Sequence, residues 1–255
     1  MEPIRVNILG VGISSINMDI ALDSIEGWIA RHEPHYVCVT PVQSVMECQR
    51  NPELRRVFNG SGLTTPDGMP LVWLCRYKGY HDVSRVYGPD LMLALCERSV
   101  VQGYSHFFYG GAKGVPEQLA ENLQNRFPGL IVAGTYSPPF HPLMSEEDTQ
   151  IVRMINEASP DIVWVGLGSP KQERWMAAHL GRLRVPVLIG VGAAFDFHAG
   201  CKKQAPSWMQ QNGLEWLFRL LAEPRRLWRR YLINNPRFAA LVLLQIIGLR
   251  RYSLG

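Results

Sequence analysis

The chain has 255 residues, of which 47% are apolar and 19% charged. That balance excludes a disordered polymer and fits one large globular domain or one domain with an appendage. The net charge of +4 is unevenly spread: residues 216–255 hold eight Arg against one Glu, +7, while the remainder holds 18 basic and 21 acidic groups, −3. A basic tail on a mildly acidic body points to phosphate, anionic lipid or nucleic acid as partner.

The five cysteines, Cys38, Cys48, Cys75, Cys96 and Cys201, are odd in number and form no CxxC pair. They read as reduced thiols rather than a disulfide framework or a zinc site. The N-terminal stretch lacks the basic region and cleavage site of a signal peptide. The longest apolar run, 238–249, is interrupted by Gln245 and covers 12 residues, where a spanning helix needs roughly 20. No transmembrane segment is expected.

In chain order, residues 5–12 (RVNILGVG) predict a strand and turn, and residues 18–31 a helix with Ile20, Ile25, Trp28 and Ile29 near helical spacing. Residues 36–40 (YVCVT) predict a β-branched strand and 43–50 a helix, with Pro52 starting a further turn. A short strand and loop at 63–67 (LTTPD) precedes a helix at 71–77, and another helix at 90–102 follows the Gly88-Pro89 break. Then come a strand at 105–111, a helix at 115–127, a strand at 130–135 and a loop with three prolines at 136–144. Ser145, followed by Glu146, Glu147 and Asp148, starts a helix that runs to about residue 159. The continuous apolar strands 161–166 and 185–190 flank a helix at 172–180, as a parallel sheet covered on both faces requires. The alternation predicts an α/β class, Rossmann-like, with a mostly parallel sheet and helices on both faces. Residues 190–230 pass from an apolar strand through glycines into a Trp- and Arg-rich helical region. The predicted organisation is an α/β catalytic domain over 1–210 and a basic helical appendage over 211–255.

Three strand ends carry glycines: Gly10/Gly12, Gly110/Gly111/Gly114 and Gly166/Gly168. Glycine there lets backbone N–H groups approach a phosphate. The first, GVGISS, falls one residue short of a dinucleotide fingerprint, and YVCVT ends in Thr40 rather than an acid, so a tight strand-to-helix turn is the simpler reading. No GxxxxGK[ST] sequence is present.

Asp67 sits in TTPDGMP, a rigid turn after a strand. Pro-Asp-Gly is ordinary turn chemistry, but a carboxylate at the C-terminal edge of an α/β sheet can also serve as a general base on a hydroxyl. Arg85, just before a helix, is suited to clamp phosphate with its guanidinium fork. Ser169 and Pro170 read as helix-start residues, which leaves Lys171, Gln172 and Glu173 crowding the sheet edge without a structural reason. His198, among aromatic residues, reads as structural, and no HExxH, paired His/Cys spacing or DxD supports a metal site. Residues 224–233 project as an amphipathic helix, with Leu227, Trp228, Tyr231 and Leu232 on one face and Arg225, Arg226, Arg229 and Arg230 on the other. A basic face edged by Trp and Tyr suits an anionic membrane surface or a pyrophosphate.

Five stretches then resemble one family: TPDGMPLVW (65–73), RVYGPDL (85–91), VGLGSPKQERW (165–175), GVGAAFDFHAG (190–200) and the Trp-rich 205–231 segment containing GLEWLFRLLAEPRRLWRRY. Together they resemble the WecG/TagA/CpsF family of bacterial glycosyltransferases (glycosyltransferase family 26), over roughly residues 6–231. The resemblance implies an inverting, metal-independent transfer of a hexose or N-acetylhexosamine from a UDP-sugar to a polyprenyl-diphosphate-linked saccharide. Such a reaction would take place at the cytoplasmic face of the membrane, for exopolysaccharide or other cell-surface polysaccharide. It implies Asp67 as base, Arg85 as nucleotide contact, Thr40 and Gln172 in the active site, and a membrane-touching basic appendage. Two positions depart from the family pattern. Val42 stands where Asn is frequent, leaving Gln43 as the polar side chain there, and Gln204 stands where Arg is frequent. Both bear on sugar identity more than on reaction class.

Two other readings compete: an NAD-type oxidoreductase using the turn at Gly10, and a non-enzymatic protein docked to membrane by its tail. The tail lacks the Lys/aromatic interleaving of a nucleic-acid groove, so no nucleic-acid partner is expected. The sequence leaves the oligomeric state open, a homo-oligomer included.

Overall fold

A computed structural model describes residues 3–139, 141 and 144–254, except for the side chains of Arg226, Arg229 and Arg230. The chain divides into two compact units. One comprises residues up to Met18, Val39–Tyr87 and the chain from Gln204 onward; the other comprises Asp19–Cys38 and Gly88–Lys203.

The first elements are strands β1 (Arg5–Ile8) and β2 (Val11–Ser14), which pair antiparallel from Arg5↔Ser14 to Ile8↔Val11. Helix α1 (Met18–Arg31) follows, buried through Leu22, Ile25, Trp28 and Ile29, and leads into β3 (His35–Thr40). Next come α2 (Val42–Cys48), α3 (Pro52–Asn59), β4 (Leu63–Pro66) and α4 (Met69–Tyr77). The second unit continues through α5 (Gly88–Gln102), β5 (Ser105–Gly110), α6 (Val115–Arg126), β6 (Ile131–Tyr136), α7 (Ser145–Ala158), β7 (Ile162–Gly166), α8 (Lys171–His179), β8 (Val187–Gly190) and α9 (Ala194–His198). The chain closes with α10 (Ser207–Gln211), α11 (Glu215–Ala222) and α12 (Pro224–Ile246).

Six strands form a sheet in the order β4-β3-β8-β7-β5-β6. The pairs β3/β8, β8/β7, β7/β5 and β5/β6 are parallel. Every residue of β8 and the first four of β7 are buried, which is why their sequences are unbroken apolar runs. The expected α/β, Rossmann-like class is the one observed. At the centre, Gly110 adopts φ 128°, and a Cβ there would lie 2.6 Å from the Gly166 carbonyl carbon. A side chain at Gly110 would strike the backbone of Gly166, and one at Gly166 would strike the Phe195 ring, 2.7 Å away.

The structure departs from the sequence reading at four places. Residues 5–14 form a hairpin, not a strand leading to a helix. Leu9 and Gly10 both have positive φ, 52° and 81°, as a primed hairpin turn demands. Pro52 opens a full helix, α3, capped by the Asn51 side chain, which accepts from Leu54 N–H at 2.9 Å. Helix α12 runs 23 residues and continues through Pro236. The carbonyl that loses its helical donor there belongs to Leu232, a residue that is 57% exposed. The buried stripe of α12 is Leu227, Asn234, Phe238 and Val242, whereas Trp228 and Leu232 are exposed. The four apolar residues expected on one face are therefore split between two. Residues 140, 142 and 143 of the predicted Pro-rich loop lie outside the described residues.

Candidate active site

The first unit encloses a cavity of about 550 Å³. Its polar wall starts from two strand ends. Asp67 follows β4 directly, and its N–H donates to the carbonyl of Thr40, the last residue of β3, at 3.2 Å. Its carbonyl in turn accepts from Arg85 Nε at 2.6 Å. Asp67 is half-buried and lines the cavity.

Every branch of the Arg85 guanidinium is engaged. Nη1 donates to Gln210 Oε1 at 3.2 Å, Nη2 pairs with Glu215, and the whole group lies 3.9 Å from the Tyr87 ring centroid. Tyr87 donates its hydroxyl to the other Glu215 oxygen at 3.1 Å. Burial, then the charges of Glu215 and Asp67, hold its phenol well above the ordinary tyrosine range, so it stays a donor. One turn along α11, Arg219 Nη1 lies 3.8 Å from Glu215. The charges of Tyr231, Glu215, Tyr87 and Asp67 act on Arg219 against the cost of its burial. Asp67, two guanidiniums and one carboxylate thus share a single wall.

Gln43 lines the same cavity and accepts from Asn234 Nδ2 at 2.8 Å, while Arg50 donates to Asn234 Oδ1 at 2.9 Å. Apart from Tyr231 and Asn235 of α12, the remaining wall is mostly apolar: Met69, Pro70, Trp73 and Leu74 from α4, Trp216 from α11, and Phe238, Val242, Leu243 and Ile246 from α12.

Of the residues singled out in the sequence, the structure brings Asp67, Arg85 and Gln43 onto this cavity. Thr40 is fully buried, one residue before the wall begins at Pro41. Gln172 belongs to the second unit, where it is buried at the start of α8. Its Oε1 accepts from Gly168 N–H at 3.1 Å and its Nε2 donates to Glu173 Oε1 at 3.1 Å. Arg225 is exposed on the first turn of α12. The side chains of Arg226, Arg229 and Arg230 lie outside the described ones. Asp196 pairs with Lys202 at 2.7 Å, and His198 Nε2 donates to the Pro89 carbonyl at 3.0 Å, so both have structural partners.

Sequence reasoning missed Glu215, Arg219, Trp73 and Trp216 as cavity residues, and it placed Tyr231 on a membrane-facing helix edge rather than on the cavity. Glu215 and Arg219 did carry a signal: opposite charges at i, i+4 on one helix.

The hairpin removes the dinucleotide reading. Leu9 N–H donates to Gln245 Oε1 at 3.0 Å, Gly10 N–H to Asn7 Oδ1 at 2.8 Å and Gly12 N–H to Asn59 Oδ1 at 3.0 Å. The amides that a pyrophosphate would need are already taken, and no helix N-terminus follows the turn. Among the described residues, no three His, Cys, Asp or Glu side chains are placed to hold a metal ion, and no helix is long and apolar enough to cross a membrane.

The model of the glycosyl transferase WecG/TagA/CpsF family matches residues 6–252. The chain belongs to this family. It is therefore a glycosyltransferase, and the five sequence stretches that suggested the resemblance fall within one continuous match. An N-acetylglucosaminyldiphosphoundecaprenol N-acetyl-beta-D-mannosaminyltransferase of Bacillus spizizenii is 32% identical over 77% of this chain and 74% of its own length. The protein of the same name from Bacillus subtilis is 32% identical over 73% of this chain and 70% of its own. A Staphylococcus aureus protein of that name is 26% identical over 88% and 87%.

Proposed function

We propose that this family member moves an N-acetylhexosamine or hexose from a UDP-sugar onto a polyprenyl-diphosphate-linked saccharide, with inversion and without a metal, in cell-surface polysaccharide synthesis. The names of the Bacillus and Staphylococcus relatives favour N-acetylmannosamine as the sugar and an N-acetylglucosaminyl-diphosphate lipid as the acceptor. The observation that carries the reading is the polar wall, where Asp67 stands beside the guanidiniums of Arg85 and Arg219.

Asp67 takes the proton of the acceptor hydroxyl as its oxygen bonds to the anomeric carbon. The bond from that carbon to the diphosphate breaks, and UDP leaves with the electron pair. Arg85 and Arg219 offset the charge that builds on it, the task a metal performs elsewhere. The diphosphate competes with Glu215 for Arg85. Gln43, held by Asn234, faces the sugar. The exposed Arg225 and the neighbouring Trp228, Leu232 and Ile233, all at least 44% exposed, support a peripheral seat on the anionic inner face of the membrane, with residues 211–255 as the docking appendage.

The test is incubation with a panel of UDP-sugars and a short-chain lipid-diphosphate acceptor, read by mass spectrometry, for wild type and Asp67→Asn. Transfer by wild type and its loss in Asp67→Asn, with UDP binding nearly unchanged, is the expected result. Unchanged turnover in the variant removes Asp67 as the base.

A further inference from the structure

The cavity has a direction. Helix α12 contributes Tyr231 and Asn235 first, then Phe238, Val242, Leu243 and Ile246. Tyr231 acts electrostatically on Arg219, which stands next to Glu215 and Arg85. From Phe238 to Ile246 the helix advances about 12 Å, and along that length its cavity-facing large side chains are apolar. Trp73 and Trp216 add aromatic surface to the same cavity. One end is thus built around guanidiniums, and the run away from it is hydrocarbon.

Three of these apolar side chains are open to water although they line a cavity: Trp73 is 51% exposed, Leu243 57% and Ile246 41%. Apolar surface left uncovered in a concave site marks a ligand that will cover it. A diphosphate or a sugar hydroxyl offers no hydrocarbon to cover the run from Phe238 to Ile246. A chain of isoprene units joined to a diphosphate matches the polarity of both parts, its charged end toward the polar end of the cavity and its hydrocarbon against α4 and α12.

We propose that the groove lined by Trp73, Trp216, Phe238, Val242, Leu243 and Ile246 is a seat for the isoprenoid segment nearest the acceptor's diphosphate, so that the first few units leave the bilayer and lie in the protein. This rests on the glycosyltransferase reading above and adds to it that the lipid, not only the saccharide, is recognised. A cavity of about 550 Å³ holds a drug-sized ligand, which limits the seat to those first units.

The experiment measures binding in membrane-free buffer, where partition into lipid plays no part. Farnesyl diphosphate, isopentenyl diphosphate and inorganic diphosphate are titrated against the full chain by tryptophan fluorescence and calorimetry. The expected result is farnesyl diphosphate binding at least tenfold tighter than isopentenyl diphosphate, because each buried methylene contributes about fourfold. Leu243→Ser and Ile246→Ser are expected to weaken farnesyl diphosphate about tenfold and leave inorganic diphosphate unchanged. Both positions are exposed enough to accept a polar side chain without unfolding, and the wild-type chain-length comparison stands even if one variant does unfold. Equal affinity for the farnesyl and isopentenyl compounds, or variants that bind the farnesyl compound like wild type, overturns the proposal. Sugar transfer without chain-length preference refutes the seat and leaves the transferase reading intact. Farnesyl preference with no sugar transfer refutes that reading and leaves the seat.

Discussion

Arg85 and Glu215 form an ion pair in which each side chain is only 15% exposed. Glu215 sits on the guanidinium proposed above to meet a diphosphate, and a third partner, Tyr87, bonds its other oxygen. The pair therefore has two consequences, one for stability and one for ligand binding.

Removing one partner leaves the other charge desolvated. Arg85→Ala and Glu215→Ala are each expected to lower stability by about 2–4 kcal/mol. The double variant should cost clearly less than the sum, because neither charge is then stranded. Urea denaturation of the four proteins measures the coupling; strict additivity would mean the pair contributes nothing. Glu215→Gln weakens competition at Arg85, and UDP is expected to bind several-fold tighter to this variant than to wild type in calorimetry.

Glu173 makes stability depend on pH. Burial, opposed by hydrogen bonds from its own backbone, Gln172 and Ser169, pushes its carboxyl up to about 7. In the unfolded chain a glutamate titrates near 4.3. Between these values the folded state binds the extra proton, so the contribution of Glu173 to stability is greatest below about pH 4.5 and declines as pH rises to about 7. The total is on the order of 3 kcal/mol. Glu173→Gln removes the dependence. Urea midpoints for both proteins from pH 5 to 8 should diverge as pH rises, the variant becoming relatively more stable; parallel curves would refute the buried carboxyl.

Nucleotide choice follows from the hairpin. UDP at a hundredfold excess over its dissociation constant is expected to raise the melting temperature by several degrees. NAD at the same concentration should leave it unchanged, because the amides at Leu9, Gly10 and Gly12 are occupied. A shift with NAD comparable to that with UDP would reopen the dinucleotide reading.

Neighbouring residues on α12 should behave oppositely. Leu227 is 4% exposed and Trp228 is 44% exposed. Leu227→Ala is expected to cost about 2–3 kcal/mol of stability. Trp228→Ala should cost less than about 0.5 kcal/mol in solution yet reduce sedimentation with anionic phospholipid vesicles. Full vesicle binding by Trp228→Ala would exclude that face from membrane contact.

The sheet was legible because β7 and β8 are apolar without interruption, a pattern a buried parallel strand imposes. The hairpin was not. Its turn is Leu9-Gly10 rather than an Asn-Gly or Asp-Gly pair, so GVGISS looked like a glycine turn ahead of a helix. Helix α12 was read only over 224–233, and its buried stripe was hidden by Asn234, a polar residue at an inward position. Asp67 and Arg85 stood out because polar residues at strand ends invite a chemical reading. Glu215 and Arg219 did not, since a charged pair one turn apart resembles solvated surface. The apolar wall was illegible in principle: Trp73 and Phe238 are distant in sequence, and only folding places them on one cavity.

Helix α12 is fastened at its middle and near its C-terminal end. Asn234 ties it to Gln43 and Arg50, and Gln245 bonds Leu9 N–H and the Asn7 carbonyl at 3.0 and 3.2 Å. A rod clamped twice cannot swing without breaking both anchorages together. Helices α10 and α11 meet Arg85 and Tyr87 through Gln210 and Glu215, contacts that an incoming anion can replace one for one. The polar contacts of that shorter segment with Arg85 and Tyr87 are therefore the ones a bound anion would exchange, while the anchorages of α12 stay in place.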